Sequence, residues 1–173
     1  MTVDTPTDLA LLVLRLGVGG IFLVHGTGKL HGRPGLELTT RWFESIGLRP
    51  GRVHAIAAAA IECLVGALLV VGLLTAAACA GVIGLMGTAI FTATGQRGFG
   101  VERGGWEYNG FLAVVVCALA LAGPGSVSVD AAWGIGTDGA AGLAIALGLG
   151  LAGVGTMRIV QGRTTPSTTR AAS

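Results

Sequence analysis

The sequence predicts an all-α integral membrane protein, a bundle of transmembrane helices. Of its 173 residues, 52% are hydrophobic and only 12% are charged, and the mean hydropathy is +0.77. A soluble domain carries about twice that share of charge, so this surface is suited to a lipid bilayer. The apolar residues also fall in runs close to the roughly 20 residues that a helix needs to cross the hydrocarbon. These observations exclude an ordinary water-soluble enzyme, and a net charge of +2 gives no argument for nucleic-acid binding.

Five apolar runs are predicted to form transmembrane helices. They cover about residues 9–30, 53–74, 76–94, 106–122 and 140–160. The fourth run is the shortest, and it needs Trp106 and Glu107 at its interfacial end to approach a full crossing. Residues 1–8 form a short N-terminal segment. Residues 162–173 are rich in Thr, Ser and Arg and predict a disordered tail.

The first long connection predicts a further helix at about residues 35–46. Its apolar side chains, including Leu36, Leu38, Trp42 and Phe43, fall within one arc of a helical wheel. This pattern is typical of an amphipathic helix that lies in the headgroup region. A re-entrant segment, or a connector packed over the mouth of the bundle, would show the same amphipathic pattern.

The basic residues predict an orientation. If all five runs span, ten of the eleven Lys and Arg residues fall on one face of the membrane, and Arg15 remains inside it. By the positive-inside rule, the N-terminus is outside and the C-terminus inside.

Ionisable residues at membrane depth are the candidate site. Such groups cost at least about 2.5 kcal/mol each, so they usually face the protein interior and have partners. Helical spacing places Arg15, His25 and Lys29 on one face of the first helix. We expect Arg15 to pair with Glu62, and Lys29 or His25 to pair with Glu107. These pairs either form a ligand-binding cluster or only fix the helix register.

Other chemistry-bearing motifs are missing. Cys63, Cys79 and Cys117 form no CxxC motif, and we expect neither a metal site nor catalytic residues. The glycine-rich residues 95–105 predict a flexible connector. Small residues at four-residue spacing permit close helix contact, within one chain or in a homo-oligomer; they are Gly142, Ala146 and Gly150, and Ala80, Gly84 and Thr88.

Several short motifs together resemble a known family. They are Leu14-Arg15-Leu16, His25-Gly26-x-Gly28-Lys29-Leu30, Phe43-x-x-x-Gly47-Leu48-x-Pro50, Glu62-x-x-x-Gly66-x-Leu68-Leu69-x-x-Gly72-Leu73, Gly98-Phe99, Glu107 and Gly123-Pro124-Gly125-x-x-Ser128-x-Asp130. This ordered set is similar to the DoxX family of small bacterial membrane proteins, over residues 9–131. The resemblance implies a four-helix bundle in the bacterial plasma membrane, and the run at residues 140–160 then adds a fifth helix.

The resemblance also implies redox and thiol chemistry. Relatives are linked to quinone-reducing sulfur oxidation and to a membrane complex with a superoxide dismutase and a sulfurtransferase. We therefore expect a non-catalytic membrane subunit or anchor of an oxidoreductase system, with a quinone-sized site between the first, second and fourth transmembrane helices near Arg15, His25 and Glu62. The alternative is a small solute or proton-linked transporter, in which the same cluster relays protons or binds a solute.

Overall fold

The computed structural model of the chain is a helical bundle. It describes residues 5–31 and 35–164, and it contains no strand in these ranges. The helices are α1 (Thr5–His31), α2 (Gly35–Ser45), α3 (Gly51–Val71), α4 (Thr75–Ala89), α5 (Glu107–Ala122), α6 (Val129–Trp133) and α7 (Gly139–Thr164). The predicted all-α membrane fold is confirmed.

Four of these helical segments are long and apolar enough to cross a bilayer. They are Pro6–His31, Gly51–Val71, Thr75–Arg97 and Gly139–Gly162. Helix α5 is apolar but has 16 residues, a length of about 24 Å against roughly 30 Å of hydrocarbon. The long segments include the one predicted at residues 140–160. Residues 162–164 continue α7, and the rest of the predicted tail lies outside the described residues.

Small residues set the helix packing. Helix α1 packs most extensively on α3, and α4 on α7. A Cβ atom at Gly66 would lie 2.7 Å from the carbonyl oxygen of Gly19, and one at Gly150 would lie 3.0 Å from the carbonyl oxygen of Ala80. Glycine is therefore required where these backbones meet. The contact expected from the small-residue repeats of α4 and α7 is thus formed within one chain.

Helix α3 ends in a tight turn that leads directly into α4. Gly72 has a left-handed backbone with φ +67°, and its N–H group donates to the carbonyl groups of Leu68 and Leu69. This arrangement is a common glycine C-cap. Because Thr75 already begins α4, the two helices are antiparallel neighbours.

Helix α2 is amphipathic, and its apolar side is divided between the bundle and the outside. Phe43 is buried with Leu48 and Ala55 near the start of α3, while Leu38 and Trp42 are exposed. The Gln161 side chain of α7 donates a hydrogen bond of 2.8 Å to the carbonyl oxygen of Ile46. The end of α7, the start of α3 and α2 therefore meet at one end of the bundle. We call it the basic end because, among the described residues, Lys29, Arg41, Arg52 and Arg158 lie there.

Candidate functional site

The contact between α1 and α3 fixes the depth of the ionisable residues. A Cβ atom at Gly26 would lie 2.6 Å from the sulfur of Cys63, so Glu62 lies almost level with Gly26. Lys29 is one helical turn from that level. Arg15 is eleven residues from Gly26 in the other direction, about 16 Å along the helix axis. Two separate ionic groups follow from this register.

The first group is an ion pair between Lys29 and Glu62. The Lys29 ammonium group donates to Oε1 of Glu62, and the two side chains are 28% and 8% exposed. The other carboxylate oxygen, Oε2, is buried and has no hydrogen-bond partner among the described residues. A buried polar atom without a partner costs about 1–3 kcal/mol, so the carboxylate of Glu62 is only partly satisfied by Lys29.

The ion pair borders a cavity of about 440 Å³. The cavity lies between α3, α4 and α7, and side chains from α2 cover it at the basic end. Its lining is mostly apolar, with the aromatic rings of Trp42 and Phe43 and a few polar groups. The lining residues are Lys29, Trp42, Phe43, His54, Ala57, Ala58, Ile61, Glu62, Ala77, Ala80, Gly81, Gly84, Leu85, Met86, Thr88, Ala89, Thr92, Leu149, Gly153 and Met157. Size and lining are those of a site for one small molecule.

The cavity wall contains an irregular segment at the end of α4. Residues Ile90–Thr94 form a π-helical turn, and Thr92 within it lines the cavity. The Arg158 guanidinium of α7 lies 3.5 Å from the centre of the Phe91 ring, which holds this turn against α7. Such π-turns are frequent at functional sites.

The second ionic group is centred on Arg15, which is fully buried at the opposite end of the bundle. Its guanidinium donates to the carbonyl oxygen of Leu69, at 3.3 Å, and to that of Val127. Asp130, 2% exposed, interacts with it electrostatically. We call Arg15 and Asp130, together with the backbone groups that they bind, the Arg15 clamp.

The clamp ties the loop after α5 to the turn between α3 and α4. The Asp130 carboxylate accepts the N–H groups of Leu74 at 2.7 Å and Thr75 at 2.8 Å, at the start of α4. The Asp130 N–H group donates to the carbonyl oxygen of Gly72 at 2.9 Å. A carboxylate at a helix N-terminus satisfies free N–H groups and the helix dipole. The clamp therefore fastens three segments of the bundle.

The predicted pairs were wrong. Arg15 does not contact Glu62, because the glycine contacts place Glu62 more than two helical turns from the Arg15 level. Lys29 takes Glu62 as its partner instead, for the same reason. Glu107 accepts the N–H group of Val101 at 3.0 Å in the loop before α5.

His25 also departs from its expected environment. It lies at the edge of the predicted arc on α1, about 80° from Arg15, and it is exposed. Of the five predicted site residues, the structure brings together only Lys29 and Glu62. The cavity lies on the α4 and α7 side of this pair, whereas the predicted site lay between α1, α3 and α5 near Arg15 and His25.

Asp130 was not predicted to be a partner of Arg15. The residue lies in the short helix α6, outside the apolar runs, and hydropathy therefore does not identify it as a group at membrane depth. The predicted topology did contain a signal for this pair. It places the connection between α5 and α7 on the same side of the membrane as the first half of α1, and Arg15 is the only basic residue near that side.

The described residues contain no group of three or more His, Cys, Asp or Glu side chains that could hold a metal ion.

Comparison with known proteins supports the family resemblance. No curated protein and no solved structure matches the chain. The family model named DoxX matches residues 10–95, about half of the chain, from α1 through the π-helical turn. The matched region includes Arg15, Lys29, Glu62 and Gly72, and the chain belongs to the DoxX family.

Proposed function

We propose that this membrane protein binds one amphipathic molecule of quinone size in the cavity beside Lys29 and Glu62. We further propose that it acts as a non-catalytic membrane subunit or anchor of an oxidoreductase system for redox or thiol stress. The observation that carries the binding proposal is the 440 Å³ apolar cavity bordered by Lys29 and Glu62, whose ion pair gives an otherwise apolar wall one charged end. Pockets of roughly 300–1,000 Å³ with a few convergent polar groups bind small molecules and cofactors.

The ion pair gives the cavity one polar end. Lys29 supplies a donor and Glu62 an acceptor, so a ring bearing carbonyl or hydroxyl groups can form hydrogen bonds with both. Trp42 and Phe43 provide flat apolar surfaces for such a ring, and the remaining wall suits a hydrocarbon chain. The charge of the pair is costly in a membrane helix bundle, which favours a functional role for it.

The partner proposal rests on the family resemblance alone. By that resemblance, the partners are redox enzymes of the superoxide dismutase or sulfurtransferase type. In the proposed bacterial plasma membrane, the basic end faces the cytoplasm, in accord with the positive-inside rule. A partner that reaches the bound molecule would then approach α2, which covers the cavity at that end.

Purification in mild detergent tests both parts. Co-purifying lipids and proteins are identified for the native chain, for Glu62→Gln and for Lys29→Met. Glu37→Gln is the matched control, because Glu37 is an exposed carboxylate on α2 that pairs with Arg41. We expect an isoprenoid quinone with the native chain and the control, and at least about a tenfold loss in both cavity variants, since a hydrogen bond to a charged group is worth about 1.5–3 kcal/mol. Recovery of neither a quinone nor a redox enzyme would refute the proposal.

Proton-linked transport of a small solute is the second candidate function. The observation that favours it is the same titratable pair, which lies within the two spanning helices α1 and α3. Intramembrane carboxylates and lysines frequently mark proton or substrate pathways. Proteoliposomes distinguish the candidates. Solute uptake driven by a proton gradient that is lost in Glu62→Gln but kept in Glu37→Gln would favour transport.

A further inference from the structure

A second concave surface lies on the outside of α5, apart from the cavity. It is a groove of about 540 Å³ whose walls include Phe99, Trp106, Tyr108 and Phe111, with the Glu107 side chain among them. Phe111 and Val114 continue the groove along α5 and are 66% and 68% exposed. Because Glu107 begins α5 at the basic end, the groove runs from the headgroup level into the hydrocarbon.

The loop that forms the head of this groove is tightly hydrogen-bonded. The N–H groups of Trp106 and Glu107 donate to the carbonyl oxygens of Gly98, at 3.1 Å, and Phe99, at 2.9 Å. The N–H group of Gly105 donates to the carbonyl oxygen of Gly100 at 3.0 Å. The glycine-rich connector thus has a defined conformation in which its two ends pair with each other, and its aromatic and acidic side chains are held in fixed positions.

Two ring contacts also hold the aromatic side chains. The Phe99 and Trp106 rings are in edge-to-face contact, with centroids 5.0 Å apart and planes at 82°. A Cβ atom at Gly110 would lie 2.8 Å from the Trp106 ring, so the indole lies directly over this glycine. The faces of such rings attract cations.

The Glu107 carboxylate supplies the negative charge. One of its oxygens accepts the Val101 N–H group, which leaves the other for a ligand. A carboxylate that lines a groove together with aromatic rings attracts an ammonium group and repels an anionic one. Arg97, whose guanidinium lies against Gly104, belongs to the same loop but does not line the groove.

We propose that this groove binds a phospholipid with a primary-amine headgroup. The ammonium group binds the Glu107 carboxylate beside the aromatic rings of the groove, and an acyl chain follows Phe111 and Val114. Charge complementarity selects this occupant, because an anionic headgroup would place its charge against the carboxylate. The proposal does not depend on which molecule binds in the cavity beside Lys29 and Glu62.

Native mass spectrometry of the full chain tests this proposal. The delipidated protein is offered equal amounts of phosphatidylethanolamine and phosphatidylglycerol with identical acyl chains. We expect about a tenfold preference for phosphatidylethanolamine, equivalent to about 1.4 kcal/mol. Glu107→Gln keeps the side-chain shape and should reduce the preference to within about twofold. Glu102→Gln is the matched control, because Glu102 is an exposed carboxylate of the same loop that does not line the groove, and it should keep the native preference.

Three results of the lipid measurements would overturn the proposal. They are equal retention of the two lipids by the native chain, an unchanged preference in Glu107→Gln, and an equal loss in Glu102→Gln. A dimer in lipid that dissociates in Phe111→Ala would show that a second copy occupies the groove, which also overturns it. If Glu107→Gln does not fold, Phe99→Leu is used instead, and it should weaken the preference about threefold through loss of one cation–π contact.

Discussion

Replacing Gly72 with alanine should damage the Arg15 clamp. An alanine at φ +67° costs about 1–2 kcal/mol in backbone strain. Its Cβ atom would also lie 2.6 Å from Cβ of Ser128 and 2.8 Å from Cζ of Arg15, and it would collide with the guanidinium nitrogen. Overpacking typically costs about 1–3 kcal/mol. Displacing the buried guanidinium from the Leu69 carbonyl oxygen adds about 1–3 kcal/mol.

Gly134→Ala is the matched control, because Gly134 has nearly the same backbone, φ +66°, and a Cβ atom added there would have no other atom within 4 Å. Thermal unfolding of both variants in the same detergent separates strain from collision. We expect Gly134→Ala to lose only the strain energy. The collision and the displaced guanidinium add about 2–6 kcal/mol, so Gly72→Ala should melt about 4–24 °C below it, at roughly 2–4 °C per kcal/mol for a chain of this size.

The Arg15→Met background identifies the colliding group. There, the part of the Gly72→Ala penalty that comes from the guanidinium should vanish, and the strain and the contact of 2.6 Å with Cβ of Ser128 should remain. Equal melting temperatures of the two glycine variants in the native background would refute the assignment of Gly72 to the clamp. A Gly72→Ala penalty that is undiminished in Arg15→Met would show that Ser128, and not the guanidinium, is the group that collides.

Two further pairs of variants test the packing and the clamp by thermal unfolding. Gly26→Ala should destabilise by about 1–3 kcal/mol, because its Cβ atom would lie 2.6 Å from the sulfur of Cys63. Gly17→Ala, with no atom within 4 Å, should be neutral or stabilise by up to about 1 kcal/mol, and equal effects would contradict the role of Gly26 in the register. Asp130→Asn should lose about 2–4 kcal/mol, since the N–H groups of Leu74 and Thr75 bind different carboxylate oxygens, one of which becomes an NH₂ group, and since Arg15 loses its counter-charge. The control is Asp138→Asn, which changes an exposed side chain between α6 and α7 and should alter the stability by no more than about 0.5 kcal/mol. An unchanged stability of Asp130→Asn would show that Asp130 is not part of the clamp.

Much of the fold is predictable from the sequence because apolar length and helical periodicity act locally. A run such as residues 53–74 must span as a helix in lipid, where every backbone polar group needs an internal partner. The predicted and observed helix ends differ by a few residues, as at Thr5, where α1 begins before the apolar run. Caps and polar side chains determine those ends, and hydropathy does not describe them.

The pairing of charges depends on the axial offset between neighbouring helices, which helical periodicity does not give. Helical spacing gives the face and the depth of a residue on its own helix, but the offset between two helices is set by the glycines that let their backbones meet. Gly19 against Gly66 places Glu62 near Lys29. An error of five residues in this offset amounts to about 7.5 Å, more than enough to exchange one partner for another.

Arg15 and Glu62 show why a buried charge alone does not identify a site. Each has one buried atom without a partner, Nε in Arg15 and Oε2 in Glu62. The Arg15 guanidinium is nevertheless fixed by the carbonyl groups of Leu69 and Val127 and compensated by Asp130, and its surroundings are packed so closely that even a methyl group at Gly72 does not fit. Glu62 has a single partner and borders open volume. The cost of Arg15 is therefore offset by fastening the bundle, whereas Glu62 keeps one buried oxygen without a donor among the described residues.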